Sequence, residues 1–405
     1  MEFYLFNPEH DMALASFSPY YKAPTEIIRM KEDLAGLPAW YADKHDCVGV
    51  FSANYDAAFY EQCVFSGLDS LARLVHVGEF LAQGLQNGLS ACVPWGWDPA
   101  LVQFLKTQRI GERFIPRNEG LNRIRSLSGR QQCVRVLHDF DGWPQVCGEA
   151  MVCPTLEAVK YYLEAMDEVI LKAPWSGSGR GLVRTSFTTW TPNLEGWVNR
   201  ILRTQGELMA EPIYNKVIDF AMEFKVDSSH QLSFVGYSLF ETDSHGNYKA
   251  NLLTSNQSIV SRLTHYVSIE LLEKIKKQLL ISIAELLNSD YVGYLGVDMM
   301  ICKVTDSVHD EVKYKVHPCV EINLRMNMGV VARLLFDRYM SFNSEGSYIV
   351  EHYSKDGEAL INDHELRKSK PSRVENGKMV EGYFPLTPVT TTTRYQCYVI
   401  CSKIV

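Results

Sequence analysis

Residues Val169 to Arg184 read VILKAPWSGSGRGLVR, and the rest of the chain is understood through this stretch. The β-prone run Val169-Ile170-Leu171 delivers a lysine, Lys172. Glycines follow at alternate positions, Gly177, Gly179 and Gly181, interleaved with Ser176, Ser178 and Arg180. Glycine lets the backbone turn with positive φ and lets peptide N–H groups approach a ligand with no Cβ in the way. Successive N–H groups of that kind form a concave nest for anionic oxygens, and a lysine on the entering strand adds a point charge suited to phosphate. The stretch is not a Walker A loop, which ends in Gly-Lys-Ser/Thr, and it misses G-x-G-x-x-G because its third glycine comes one residue early. Taken alone it is equally a phosphate cover and a hairpin connection rich in turn residues.

At 405 residues the chain exceeds one ordinary core, and roughly 100–200 residues per domain predicts two or three units. Its 46% hydrophobic and 22% charged content are those of a soluble globular protein. A net charge of −8 argues against a nucleic-acid partner, which calls for a clustered basic face. The start, MEFYLFNPEHDMALA, lacks the basic-then-apolar layout of a signal peptide. No apolar run reaches the roughly 18 residues that a spanning helix needs, so no membrane partner is expected. Ten cysteines without a C-x-x-C pair fit the reduced thiols of a cytoplasmic protein.

Strands alternating with helices predict a parallel α/β unit over residues 1–115, with a first strand at 2–6 followed by the polar loop Asn7-Pro8-Glu9-His10-Asp11. A second unit begins near Glu119. It has one helix over 122–139 that carries Ser128-Gly129-Arg130, a strand at 149–153, a helix at 155–165 and a strand entering the glycine loop. A third unit from Gln205 has strands at 207–213, 220–226, 232–239 and 248–253. Its long helix at 269–287 carries Leu271, Leu272, Ile275, Leu279, Ile283 and Leu286 on one face. Two strands, 294–303 and 313–323, follow around a polar turn, then a helix at 330–339. In the remainder, the polar stretch 354–381 reads as a mobile loop.

A second signal lies far downstream. In CVEINLRMNMG, Glu321 and Asn323 stand two residues apart and so share a strand face, with Arg325 next on it. The preceding strand, GYLGVDMMIC, carries Asp298. Two strands joined by a polar turn should be antiparallel neighbours, which sets Asp298 beside Glu321. Two carboxylates and an amide oxygen are hard ligands that suit Mg²⁺, which prefers a few protein oxygens plus substrate phosphates. An arginine beside them can neutralise charge on a transferring phosphoryl group. The alternative is a structural Glu321–Arg325 salt bridge with Asp298 as a turn residue.

With both signals in hand, the sequence resembles the ATP-grasp superfamily. The match rests on VILKAPWSGSGRGLVR, ELMAEPIY (207–214), GYLGVDMM (293–300) and VEINLRMNMG (320–329), and it covers residues from about 120 to 340. The glycine loop is similar to that of the biotin-carboxylase branch, Arg180 and Arg184 included. The D…E-x-N-x-R ending is similar to that of D-alanine–D-alanine ligases. The resemblance implies an α+β chain with an α/β N-terminal domain (1–118) and two α+β subdomains clamping ATP. These are a small one with the glycine loop (119–204) and a C-terminal one with the metal site (205–340), followed by an extension (341–405).

Carried over residue by residue, Lys172 would contact the α- and β-phosphates. Arg130 would stand where such enzymes commonly have a lysine, a departure that keeps the charge and adds a forked contact. Ser176, Gly177, Ser178, Gly179 and Arg180 would cover the phosphates. Residues 209–213 would be the hinge, its backbone on the adenine edge at Ile213 with Glu211 near the exocyclic amine. Asp219 or Glu223 would hold the ribose, and Lys249 would be a further phosphate contact. Asp298, Glu321 and Asn323 would hold Mg²⁺ or Mn²⁺, and Arg325 would steady the γ-phosphate or an acyl phosphate.

The implied reaction is ATP-dependent activation of a small-molecule or peptide carboxylate as an acyl phosphate, followed by attack of an amine or another nucleophile. A kinase on the same scaffold and a non-catalytic nucleotide sensor stay open, as does a homo-oligomer. Asn7, His10 and Asp11, at the carboxyl end of the first strand, are the candidates that would face the substrate.

Overall fold

The computed structural model describes residues 1–65, 67–68, 71–82, 85–166, 168–177, 181–242, 248–306 and 311–404. At the N-terminus, β1 (Glu2–Leu5), α1 (His10–Ser16), α2 (Thr25–Asp33), β2 (Cys47–Val50), α3 (Tyr55–Cys63), β3 (Arg73–His76), α4 (Val77–Ala82), β4 (Ala91–Pro94) and α5 (Pro99–Thr107) build one α/β layer. Its four strands are all parallel, in the order β3-β2-β1-β4. Parallel neighbours need crossover connections, which the intervening helices supply. Strand order places the carboxyl end of β1, residues 7–11, beside the loop after β4. Asn7 ties the two together, its Nδ2 donating to Gly96 O at 2.8 Å and to Asp98 Oδ2 at 3.2 Å.

The single helix predicted over 122–139 is two helices, α6 (Asn118–Ser128) and α7 (Gln131–His138). Gly129 leaves helical geometry at φ −74°, ψ 142°, and the Arg130 N–H donates to Pro174 O instead of to its own helix. That break turns Arg130 toward the glycine loop. Next come β5 (Met151–Cys153), α8 (Leu156–Ala165), β6 (Val169–Lys172), β7 (Leu182–Thr185), α9 (Pro192–Gln205) and β8 (Leu208–Pro212). They form an antiparallel sheet ordered β5-β8-β6-β7. Val169, Leu171 and Ala173 pack on α8 and α9, so Ile170 and Lys172 point the other way. The strand expected to open the third unit, β8, instead completes this small sheet, because its register partner is β6, with Glu211 opposite Ile170.

The remaining strands join one nine-stranded sheet. They are β9 (Lys216–Val226), β10 (Leu232–Thr242), β11 (Tyr248–Leu253), β12 (Gly293–Asp306), β13 (Glu311–Asn323), β14 (Ser344–His352), β15 (Arg373–Glu375), β16 (Lys378–Pro385) and β17 (Tyr395–Lys403). The order is β13-β12-β9-β10-β11-β14-β17-β16-β15. Helices α10 (Asn256–Leu263) and α11 (Ile269–Leu287) cover one face, where Phe220, Met222, Phe224, Leu295, Val297, Met299 and Ile301 are buried. Strand alternation sends Asp219, Glu223 and Asp298 to the opposite face. There α12 (Met328–Tyr339) lies in a core shared with the N-terminal layer, and Trp40 Nε1 donates to Leu386 O at 2.8 Å.

Residues after 340 are thus integral to the sheet rather than an appendage. The stretch 354–381, read as a mobile loop, holds α13 (Glu358–Ser369) and the β15–β16 hairpin. It is ordered by buried contacts its polar surface does not advertise: Asp363 accepts from the Tyr383 hydroxyl at 2.7 Å inside the fold. Among the described residues, no helix is long and apolar enough to cross a membrane.

Candidate active site

The ends of β12 and β13 build the floor of the site. Asp298 lies directly opposite Glu321, and Gly296 opposite Asn323. The register then slips, with Met300 facing His317, so residues 318–320 stand against Met299 alone. Pro318 explains the slip. A proline has no N–H to give the ladder and is tolerated at a bulge on an edge strand, which β13 is. Asn323 Nδ2 donates to Asp298 Oδ2 at 3.0 Å, which leaves the amide oxygen free. The alternative Glu321–Arg325 salt bridge is not formed. Glu321 Oε1 instead accepts from Arg130 Nη2 at 2.8 Å, and Arg325 takes Asp11 in a forked contact, with Nη2–Oδ2 at 2.7 Å and Nε–Oδ1 at 2.9 Å.

Arg130 is the hub. Its guanidinium is 5% exposed. Nη1 donates to Ala173 O and Ser176 Oγ, both at 2.7 Å, while Nη2 holds Glu321. One side chain therefore ties the entry to the glycine loop to the far wall. The loop folds back there because Ala173 N–H donates to Gly181 O at 2.8 Å. A Cβ on Gly181 would stand 2.4 Å from Ser176 Oγ, so only glycine allows this closure. Trp175 anchors the loop rather than capping a ligand: its indole N–H donates to Arg125 O at 2.9 Å and its ring lies 4.4 Å from the Arg125 guanidinium. Gly177 comes next to Asp11, 3.5 Å from a would-be Cβ to Oδ2. Ser178, Gly179 and Arg180 lie outside the described residues.

Lys172 is buried and paired with Glu211 at 2.5 Å. Behind it, fully buried His317 is pushed down to about 3 by burial and by the Lys172 charge, so its ring is neutral. Ile213 follows β8 directly. Asp219 is paired with Lys216 at 2.5 Å and keeps part of its carboxylate exposed. Glu223 offers no room for a ribose: it is 1% exposed and holds hydrogen bonds from Ser238 Oγ at 2.8 Å and Asn327 Nδ2 at 3.1 Å. Lys249 is exposed on β11, three strands from β12, and the structure does not bring it into this cluster. Asn7 is fully buried and spent on the loop after β4. His10 and Asp11 line the same cleft as Ser176, Glu321, Asn323 and Arg325. Sequence reasoning missed the role of Asp98 beside His10, although its place before Pro99 marked it as a helix cap. It also missed His317, for which no local signal exists.

The electrostatics suit a cation. Burial, then the charges of Glu321 and Glu223, push the Asp298 carboxyl well above the usual carboxylate range. Burial works against ionised Asp11, but the Arg325 charge and hydrogen bonds outweigh it and hold that carboxyl below its ordinary value. Among the described residues no three His, Cys, Asp or Glu side chains converge as a metal cluster. The donor set is two carboxylates and an amide, few enough for an ion that keeps phosphate and water ligands.

Burial also pushes Glu223 up to about 7, despite the hydrogen bonds from Ser238 and Asn327. A raised carboxyl value means the folded state keeps a proton that the unfolded chain releases. The group is then neutral to stability below the unfolded value and costs stability as pH rises toward 7. Glu223→Gln is therefore expected to gain about 2–3 kcal/mol on the wild type between about pH 4 and pH 8. Urea unfolding at the two pH values checks this, and equal curves would show that Glu223 ionises normally.

Neither a comparison with protein-family models nor one with curated proteins finds a match to the sequence. Solved structures do match. The biotin carboxylase domain of Hydrogenobacter thermophilus 2-oxoglutarate carboxylase, in complex with MgADP, ADP and bicarbonate, is similar at a TM-score of 0.51 and 12% identity, covering 99% of this chain and 86% of that one. Rhizobium etli pyruvate carboxylase is similar at 0.50 and 11% identity, over 100% of this chain and 36% of that one. Staphylococcus aureus N5-carboxyaminoimidazole synthetase, complexed with ADP, gives 0.47 and 12% identity over 98% and 92%. The β5–β8 sheet with its glycine loop, facing the carboxylate-bearing end of the large sheet behind a parallel α/β layer, is the ATP-grasp fold, and this chain has it.

Proposed function

We infer that the protein is an ATP- and Mg²⁺-dependent ligase that activates a carboxylate as an acyl phosphate for attack by an amine. The observation that carries this reading is the Arg130 bridge, in which one buried guanidinium joins Ser176 of the glycine loop to Glu321 opposite Asp298. A phosphate loop and a hard-ligand site held that closely leave a narrow place for the β- and γ-phosphates between them. In this reading residues 1–118 supply part of the acceptor site, the small sheet supplies the lid, and the large sheet carries the metal.

Lys172 would leave Glu211 for the α- and β-phosphates, and the free Glu211 carboxylate would meet the adenine amine beside the backbone of Met209–Ile213. Asp219, rather than enclosed Glu223, would take the ribose hydroxyls. Asp298, Glu321 and the Asn323 amide oxygen would hold Mg²⁺, or Mn²⁺ in its place, which when bound neutralises phosphate charge as it transfers. Arg325 would steady the γ-phosphate and then the acyl phosphate. Arg130 and Lys172 would position the chain of phosphates, and the glycine loop would keep water off the activated carboxylate. Positioning and charge stabilisation do most of such work, and no covalent protein intermediate is needed. Lys249 would reach the phosphates only from the exposed end of β11. The mixed charge of the cleft, with Asp11 against Arg325 and His10 beside them, suits an amino-acid-like acceptor more than a phosphorylated one. We place the enzyme in the cytoplasm, acting on small-molecule or peptide carboxylates and amines, and a homo-oligomer is compatible with it.

The test is release of ADP and phosphate from MgATP with pooled carboxylates and amines, with hydroxylamine added to trap acyl phosphate as a hydroxamate. Turnover is expected only with a carboxylate present, and Glu321→Gln should lower it about 10²–10³-fold. Unchanged turnover in that variant would remove Glu321 from the metal site. ATP binding with no turnover in any pool would favour a nucleotide sensor, and transfer of phosphate to a stable hydroxyl product would favour a kinase.

A further inference from the structure

His10 is 1% exposed, yet neither ring nitrogen has a hydrogen-bond partner. Buried polar groups are nearly always paired, so an exception calls for an explanation. The ring packs against the backbone of Gly96, where a Cβ would stand 2.6–2.7 Å from three of its atoms, so glycine at 96 is what makes room for it. Its Nδ1 lies 3.8 Å from Asp98 Oδ2, within reach of an ion pair once the ring is protonated but too far for a hydrogen bond. Asp98 is itself fully buried and fixed: Oδ1 accepts from Leu101 N–H at 2.9 Å, capping α5, and Oδ2 from Asn7 Nδ2 at 3.2 Å. A buried carboxylate so held keeps a fixed place beside the ring. His10 is among the residues lining the small cleft shared with Asp11, Ser176, Glu321, Asn323 and Arg325.

We propose that His10, seated against Gly96 with the Asp98 carboxylate beside it, is the general base that deprotonates the attacking amine. The inference rests on the ligase reading above and adds to it the residue that serves the second half-reaction. Its substrate class is a primary amine that arrives as an ammonium. The His10 imidazole takes one proton from the ammonium and becomes an imidazolium facing Asp98. The freed nitrogen lone pair attacks the acyl carbon, and the C–N bond forms as the C–O bond to phosphate breaks. Phosphate leaves with the electron pair of that bond and takes the second amine proton, giving an amide, hydrogen phosphate and protonated His10. Histidine is the side chain most often placed for such a proton transfer.

The experiment compares two nucleophiles in the full-length enzyme, using the carboxylate pool that drives wild-type turnover. One is the pooled primary amines, protonated at neutral pH. The other is hydroxylamine, already unprotonated there and needing no base. In His10→Gln and His10→Ala, the ratio of amine-dependent to hydroxylamine-dependent turnover is expected to fall about 10²-fold or more. Gly96→Ala, which displaces the ring without removing it, is expected to lower the same ratio. Thermal unfolding of each variant separates loss of fold from loss of the base. Both rates falling together would make His10 structural or part of the activation step and would overturn the proposal, as would an unchanged ratio. A wild-type enzyme that forms no hydroxamate with any carboxylate would sink the ligase reading itself, and His10's role with it, before any variant is made.

Discussion

Arg130→Ala is expected to cost about 3–5 kcal/mol of unfolding free energy and to weaken ATP binding about 10–100-fold. The first figure is that for breaking a buried ion pair from one side, the second that for removing an outer-shell support of a metal site. Arg130 is enclosed, and its two terminal nitrogens satisfy the Ala173 carbonyl, the Ser176 hydroxyl and Glu321. Without it a buried carbonyl loses its donor. Glu321 is also left beside Asp298, whose carboxyl is already driven up by burial and by its acidic neighbours. Arg130→Lys keeps the charge but not the fork, since a point-charge ammonium on a thinner reach cannot serve the loop and Glu321 in the same geometry. It should recover part of the stability and little of the affinity. Urea unfolding and nucleotide titration decide the matter, and a loss below about 1 kcal/mol would show that the bridge adds nothing beyond an exposed pair.

Arg325→Ala should lower carboxylate-dependent turnover about 10³-fold, the lower end of what a transition-state arginine supplies in phosphoryl transfer. The same change strands Asp11, now held below the usual carboxylate range by the Arg325 guanidinium. A depressed carboxyl value stabilises the fold above the unfolded value and loses that contribution as pH falls. The wild type should therefore weaken on acidification in a way the variant does not. Adding Asp11→Asn to Arg325→Ala removes the stranded charge and is expected to return about 2 kcal/mol of stability, with turnover still lowered about 10³-fold. If the double variant regained activity as well, Arg325 would be a fastener of the N-terminal loop and not a partner of the phosphate.

Much of the site was legible because it is local. Glu321 and Asn323 share a face by the period of a strand, and a short polar turn sufficed to set Asp298 opposite Glu321. The glycine loop announced itself by composition. The helix broken at Gly129 was not legible, because the residues on either side keep helical spacing and only the loop carbonyl at Pro174 rewards the break. The strand Leu208–Pro212 likewise carries no mark of which sheet it joins, since both sheets offer antiparallel edges. The stretch 354–381 looked mobile because its ordering contact, Asp363 to Tyr383, joins residues 20 positions apart rather than sequence neighbours.

The sequence by itself determined the local elements, the glycine loop, the pairing of Asp298 with Glu321 and, by resemblance, the fold. Periodicity and glycine placement act over a few residues and can be read directly. The tertiary structure alone decided who holds whom. Arg130 takes Glu321 across 191 positions, and Arg325 takes Asp11 across 314, displacing the nearer Glu321–Arg325 pair that spacing suggested. His10 comes to rest against Gly96 and Asp98. Long side chains choose partners by where packed sheets and helices deliver them, and a buried charge settles on whichever opposite charge it reaches after losing water. That choice is a property of the packed sheets and not of any segment.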